Sequence, residues 1–357
     1  MEWPNEVELC GETVSMGGRP FVVAELSGNH NGDPDRAIEL ADRALDAGAD
    51  AIKLQTYTAD TLTIDCDAEY FQIKSGPWAG RTLHELYDWA HTPWDWHERI
   101  FSHVRSRGGY CFSTPFDRTA LDLLEGLDCP IYKIASFEIL DLELIGQVAS
   151  TGKPMIISTG MSSYPEIEVA LQAAWAGGCR NLLLLHCVSG YPTPVEEARV
   201  SSISRLAERF RVPVGLSDHT LGTVVPTVAA SVGACFIEKH FTLRRSDGGP
   251  DAEFSLEPAE FATMVQSVNT AWLAAGSGSG GPRPSCEKES GVFRRSLFVV
   301  QSVQAGDTFT REMIRSIRPG DGIAPKYLGQ IIGRKAARNI ERGTPVSWDL
   351  LEEGDKS

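Results

Sequence analysis

Residues 214–220 read VGLSDHT and residues 235–242 read CFIEKHFT. Each starts as an apolar β-strand and ends in carboxylate, hydroxyl or imidazole side chains. Polar groups gathered at one end point to a buried strand whose C-terminal tip opens on a reactive site. Six further runs repeat the plan: FVVAELSGNHN from Phe21, DAIKLQTY from Asp50, YCFSTPF from Tyr110, IYKIASFE from Ile131, MIISTGMSS from Met155 and LLLLHCVSGYP from Leu182. Helix-like segments separate most of them. PDRAIELADRALDAG sets Pro34 at a helix start and Gly48 beyond its end, and YPEIEVALQAAWAGG and PAEFATMVQSVNTAWLAAG are built alike. Apolar strands alternating with helices predict a parallel sheet covered by helices. Eight such units predict a closed (β/α)8 TIM barrel whose site lies at the C-terminal strand ends. A doubly wound open sheet is the competing arrangement, but no glycine-rich dinucleotide fingerprint accompanies it.

The barrel is expected over residues 1–276, and VELCGETVSMGGRP ahead of the first strand reads as a hairpin closing its other end. Between the second and third strands, CDAEYFQIKSGPWAGRTLHELYDWAHTPWDWHERI is an aromatic insertion, either a lid over the rim or ordinary packing. Residues 277–292, rich in Gly, Ser and Pro, read as a linker. Residues 293–357 form a second small domain. It contains an internal echo, QAGDTFTREMI against ERGTPVSWDLL, with Thr310 and Ser347 expected to cap brief helices.

A formal net charge of −15 repels nucleic acid and anionic membranes, so neither is an expected partner. An anionic substrate then requires local cations or a metal. The opening MEWPNEVELC has no basic stretch followed by an apolar core, so a cytoplasmic protein is expected. Eight cysteines without a CxxC pair read as buried free thiols.

Only nine lysines occur, yet Lys53 and Lys133 both fall inside barrel strands. A buried lysine needs an anion. Ser113, Thr114, Ser136, Ser158 and Ser217 add hydroxyls from other strands, which together suit a phosphate or carboxylate. His219 and His240 end consecutive strands and converge on one point, with Glu25 and Asp251 nearby. That set suits a divalent metal, Mn²⁺ or Mg²⁺ by its oxygen donors, with Zn²⁺ open on ligand chemistry. Glu25 and Glu138 are candidate acids or bases, or simply partners of a rim lysine; Glu138 follows Ser136 by two and so faces the same side in an extended chain. His30 and His186 could serve as acid or base too, but read first as loop or core histidines.

Taken in order, AELSGNHNGD, IKLQTY, STPFD, KIASFE, STGM, GLSDHT and IEKHFT resemble the sialic acid synthase family over nearly the whole chain. The C-terminal AGDTFTREMIRSIRPGDGIAPKYLGQIIGRKAARNIERGTPV resembles that family's antifreeze-like (SAF) domain, a β-clip fold. The resemblance implies condensation of phosphoenolpyruvate with an N-acetylated amino sugar to give a nine-carbon 2-keto acid and phosphate. It implies that Lys53, Ser113, Lys133, Ser136, Ser158 and Ser217 hold phosphoenolpyruvate. His219 and His240 would bind Mn²⁺, with Mg²⁺ or Co²⁺ as the other choices. Glu25 would manage protons, and Glu138, Tyr191 and Asp251 would contact the sugar. Arg318 would enter the barrel of a second copy, implying a domain-swapped homodimer.

KIASFE departs from the KIGSGE usual in N-acetylneuraminate synthases, and Ser189 stands where they place Asn. GPWAGRTLHELYDWAHTPWDW, ELSGNHN and KIASFEI look most like the pseudaminic acid synthase branch, which implies 2,4-diacetamido-2,4,6-trideoxy-L-altrose as acceptor, with Phe137 beside the sugar. The alternatives are an N-acetylneuraminate or legionaminic acid synthase, a Schiff-base barrel aldolase, and a non-catalytic sugar-binding protein.

Overall fold

The computed structural model describes residues 1–276, 285–287 and 289–352. The chain divides into two compact units, Met1–Gly278 and Ser279–Ser357. The first opens with a hairpin, β1 (Glu6–Leu9) and β2 (Glu12–Ser15), which buries Val7, Leu9 and Val14. Asn181, at the entry to a barrel strand, exchanges two hydrogen bonds with the Glu8 backbone, and Gly17 N–H donates to Gly233 O. The hairpin therefore seals the N-terminal end of the barrel, as expected.

Eight parallel strands follow: β3 (Phe21–Glu25), β4 (Ala51–Thr56), β5 (Tyr110–Pro115), β6 (Tyr132–Ile134), β7 (Met155–Ser158), β8 (Leu182–Cys187), β9 (Val214–Asp218) and β10 (Phe236–His240). They pair in chain order, and β10 closes on β3 with His240 beside Glu25. Both strand faces are buried, one inside the barrel and one beneath the helices, which explains their near-continuous apolar character. The helices are α1 (Pro34–Asp46), α2 (Ala59–Leu62), α3 (Leu83–Ala90), α4 (Trp94–Ser106), α5 (Arg118–Gly126), α6 (Leu142–Ala149), α7 (Tyr164–Ala176), α8 (Ser202–Phe210), α9 (Val224–Ser231) and α10 (Pro258–Ala275). Their starts are locally encoded. Asp33 caps α1 by accepting from Asp35 N and Arg36 N, and Ser163–Glu166 and Glu257–Glu260 form capping boxes on α7 and α10. α1 then lays Ala37, Leu40, Ala41 and Ala44 on the barrel, a stripe at helical spacing.

In the second unit, β11 (Ser296–Val299) and β12 (Ile314–Ile317) pair antiparallel, and α11 (Leu328–Ile331) packs on a core that includes Leu297, Phe309 and Val346. The internal echo is structural: Gly306 and Gly343 both turn with positive φ, and Val303 pairs with Ile340. The capping expectation is not met. Ser347 turns its hydroxyl to Asp349 and makes no cap bond to the 3-10 turn Trp348–Leu350, and Thr310 precedes only a turn. Of the expected linker, 277–284 and 288 lie outside the described residues, while Ser285–Glu287 and Glu289–Phe293 are 3-10 turns. No helix among the described residues is long and apolar enough to cross a membrane.

Inside the barrel, Phe21 and Phe236 stack with ring centroids 5.7 Å apart. Gly215 of VGLSDHT faces this pair. A Cβ there would collide with the Phe236 carbonyl oxygen, come within 2.6 Å of Phe236 Cβ and meet Leu185 at 2.9 Å. Backbone cannot give way, so Gly215→Ala should cost on the order of 1–3 kcal/mol, read as a lower urea midpoint. An unchanged midpoint would contradict this packing.

Candidate active site

Strand alternation sends Lys53 of β4, Lys133 of β6, Ser217 of β9 and Glu238 of β10 into the barrel, where all four side chains are nearly fully buried. Lys133 Nζ donates to both Glu238 oxygens, at 2.9 and 3.1 Å, and Ser217 Oγ donates to Oε1 at 3.2 Å. Lys53 Nζ lies 2.5 Å from Glu25 Oε2 and 3.6 Å from Glu238 Oε1. Two ammonium groups thus converge on one carboxylate in low dielectric, where each charge needs its partner. Burial works against the charge on Lys53, but Glu238 and Glu25 hold its pKa above the ordinary lysine value. Burial likewise opposes ionisation of Glu238, and Lys133 and Lys53 outweigh it to hold the carboxyl below its usual range.

These groups form the floor of a cavity of about 320 Å³, which also takes in Thr114, Ser136, Ser158, His219, His240 and Asp251. Lys53 Nζ is 3.4 Å from Thr114 Oγ1, Gly160 N–H donates to Ser136 Oγ at 3.0 Å, and Ser158 Oγ is buried without a partner. Ser113 is not part of this set. Its hydroxyl lies 2.7 Å from Thr56 Oγ1, which in turn meets His97 of α4 at 2.8 Å. Ser113 therefore faces the helix layer, and alternation gives its neighbour Thr114 to the cavity. Glu25 is fully buried behind Lys53 and does not line the cavity; of the two readings open for it, pairing with a lysine is the one observed.

The imidazoles of His219 and His240 face each other with centroids 5.5 Å apart, packed on Tyr191 and Phe254. His219 Nδ1 is 3.0 Å from Val188 O, which places the proton on Nδ1 and leaves Nε2 free. His240 Nδ1 is buried without a hydrogen bond, 3.7 Å from Asp251 Oδ2, and Asp251 accepts from the Ser27 hydroxyl. Burial, then His219 and Lys53, keeps His240 well below its ordinary pKa, in the neutral form that ligates metals. Among the described residues no group of three or more His, Cys, Asp or Glu side chains forms a metal cage. The orphaned Nδ1, the free Nε2 and the nearby carboxylate fit an ion held by two nitrogens with its other positions open.

The outer strand faces brace this pair. Asp218 and Lys239, direct neighbours on β9 and β10, form a fully buried ion pair at 2.5 Å. Lys239 also donates to Thr220 O, and Thr220 N and Oγ1 return bonds to Asp218. The residues flanking His219 are thereby tied to the strand that carries His240.

Glu138 lies in a 3-10 turn, Ser136–Glu138, rather than in an extended strand, because β6 ends at Ile134. It still lines the cavity, as does Tyr191; Phe137 stands at the mouth, 60% exposed. Arg318 belongs to the second unit, exposed just after β12. His30 and His186 are structural: His30 bonds Gly32 N and Thr92, and His186 bonds Ala198 O. Five cysteines are buried and all are free, although Cys187 lines the cavity 3.9 Å from His219 Nδ1. Glu238 is the residue that the reading by strand ends passed over. Its signal was present, since it stands two residues before His240 on the same face.

Fold and site together define a TIM-barrel protein that gathers paired lysines, a buried carboxylate and two imidazoles at its C-terminal rim. The NeuB family matches residues 40–280 and the SAF domain matches residues 294–352. The chain belongs to the NeuB family and carries a C-terminal SAF domain, in agreement with the resemblance read from its motifs. It is 41% identical to the pseudaminic acid synthase of Helicobacter pylori over 93% of this chain and 98% of that one. It is 37% identical to the N,N'-diacetyllegionaminic acid synthase of Legionella pneumophila, over 93% and 94% of the two chains. The crystal structure of N-acetylneuraminic acid synthetase from Leptospira borgpetersenii superposes with a TM-score of 0.72 at 30% identity, covering 81% of this chain and 96% of that one.

Burial raises the Glu138 carboxyl to about 7, and its Oε2 has no hydrogen-bond partner. A carboxyl raised in this way binds its proton more tightly folded than unfolded. Its contribution to stability is complete below the unfolded pKa and is lost as pH rises through about 7. Glu138→Gln should therefore gain stability over the parent between about pH 5 and about pH 8, by roughly 2 kcal/mol. Urea midpoints across that range check it; a difference that does not vary with pH would refute the assignment.

Proposed function

We propose that this chain is a phosphoenolpyruvate-dependent nonulosonic acid synthase of the pseudaminic type. Its acceptor is 2,4-diacetamido-2,4,6-trideoxy-L-altrose, and its products are pseudaminic acid and phosphate. The observation that carries the reading is the convergence of Lys53 and Lys133 on one carboxylate, beside His219 and His240, in a chain so similar to a pseudaminic acid synthase. Glu238 occupies the place that the substrate's anionic groups would take. Phosphoenolpyruvate would draw the two ammonium groups onto its phosphate and carboxylate, with Thr114, Ser136, Ser158 and Ser217 completing the hydrogen bonds.

Tyr191, Asp251 and Glu138 would hold the sugar so that C3 of phosphoenolpyruvate reaches the aldehyde carbon. The new C–C bond leaves cationic character at C2, and water adds there. Glu25, which meets the cavity floor through Lys53, would take one proton of the water and return it to the aldehyde oxygen, which becomes a hydroxyl. Breaking the C2–O bond of the adduct releases inorganic phosphate, which carries off the proton of the C2 hydroxyl, and leaves the 2-keto acid. A divalent ion held by His219 and His240, Mn²⁺ in preference to Mg²⁺ or Co²⁺, supplies Lewis-acid polarisation of the aldehyde when bound. The Schiff-base alternative is disfavoured at Lys53, because a lysine nucleophile must be neutral and Glu238 and Glu25 hold this one charged.

Phosphate release from phosphoenolpyruvate with the diacetamido altrose, lost on metal stripping and restored by Mn²⁺, is the expected result. Turnover of N-acetylmannosamine alone would overturn the pseudaminic assignment, and no turnover of either sugar would favour a binding protein. His219→Ala should abolish activity with the fold intact.

The reaction would run in the cytoplasm, in a domain-swapped homodimer completed by Arg318. Co-expressed His219→Ala and Arg318→Ala chains should then recover activity that neither homodimer has. Docking of the SAF domain within one chain predicts no recovery.

A further inference from the structure

The cavity has two unlike sides. Its floor is the charged cluster, whereas Leu62, Ile73, Trp78, Leu83, Leu86 and Ala90 line one wall, all from the insertion between β4 and α4. The wall is built to stay apolar. Leu83, Leu86 and Ala90 share one face of α3 at helical spacing, set by the Thr82–Glu85 capping box at its start. Trp78 donates its indole N–H to Pro250 O at 2.7 Å and offers no free donor. Ile73 and Arg81 pair through the backbone, and Gly80 N–H returns to Ile73 O, so the turn between them closes its own hydrogen bonds. Tyr87, on the same face of α3, brings its phenol to the cavity, and along Leu83, Leu86 and Ala90 a ligand meets hydrocarbon.

We propose that this wall is the acceptor-selecting element, and that it takes the C6 methyl of a 6-deoxy sugar while disfavouring a C6 hydroxymethyl group. The inference rests on the synthase reading above. Phosphoenolpyruvate is anionic along its length and belongs to the lysines. The acceptor's aldehyde must lie against it, which leaves the far end of the sugar for the wall. A methyl set against Leu83, Leu86 and Ala90 loses water from both surfaces, whereas a hydroxyl placed there would be desolvated without a partner. Phe137, assigned beside the sugar from sequence, is 60% exposed and cannot exclude water as the wall does. An apolar surface discriminates against an added hydroxyl only modestly, by about tenfold to a hundredfold in kcat/KM.

The test compares 2,4-diacetamido-2,4,6-trideoxy-L-altrose with 2,4-diacetamido-2,4-dideoxy-L-altrose, which differ only at C6. The parent protein should prefer the former by about ten- to a hundredfold in kcat/KM. Leu83→Asn and Ile73→Thr, at half-buried positions that risk the fold least, should bring the ratio toward one and leave KM for phosphoenolpyruvate unchanged. Equal use of both sugars by the parent, or an unchanged ratio in both folded variants, overturns the wall while leaving the synthase reading standing. Phosphoenolpyruvate binding with turnover of neither sugar overturns the synthase reading, and this inference with it.

Discussion

Glu238 lies between two lysine ammonium groups that the barrel has removed from water, and the rest of the site is arranged around that contact. Two like charges this close and this buried would repel each other; a carboxylate hydrogen-bonded to one and within 3.6 Å of the other makes the cluster tolerable. The three residues come from β4, β6 and β10, so only closure of β10 on β3 brings them together. The same closure sets His240 beside Glu25, which the pairing of β3 with β4 holds beside Lys53. An anion that displaces Glu238 finds two cations already desolvated and oriented.

Around this floor the molecule divides its labour by element. Strand ends supply charge and hydroxyls at fixed registers, where side chains point with little freedom. The outward ion pair of Asp218 and Lys239 uses the other face of β9 and β10 to secure the backbone on either side of His219. The insertion after β4 contributes shape and a largely apolar surface, together with the Tyr87 phenol. Chemistry on strands and selection on an insertion can vary independently, as is common in TIM barrels.

Much of this was legible in the chain. VGLSDHT and CFIEKHFT display their polar tips openly, and Lys53 and Lys133 stand out because a lysine within an apolar strand needs an anion. Three positions differ from the expectation, each for its own physical reason. YCFSTPF is buried on both faces, so nothing in its composition shows whether Ser113 or Thr114 faces inward. Glu138 was placed by extended-chain geometry, but β6 is only three residues long and gives way to a 3-10 turn. Glu238 was overshadowed by His240, although the same alternation carries both inward.

The amino-acid sequence by itself determined the number and order of strands, the helix starts, the two-part organisation and the residue types available at the rim. These follow from local periodicity, capping and the cost of burying charge, all of which act over a few residues. Tertiary structure alone decided which face of each strand looks inward, which carboxylate meets which lysine, and which segment walls the cavity. Those are matters of register and closure between segments as much as 200 residues apart, and Glu238 meets Lys133 across 105 of them.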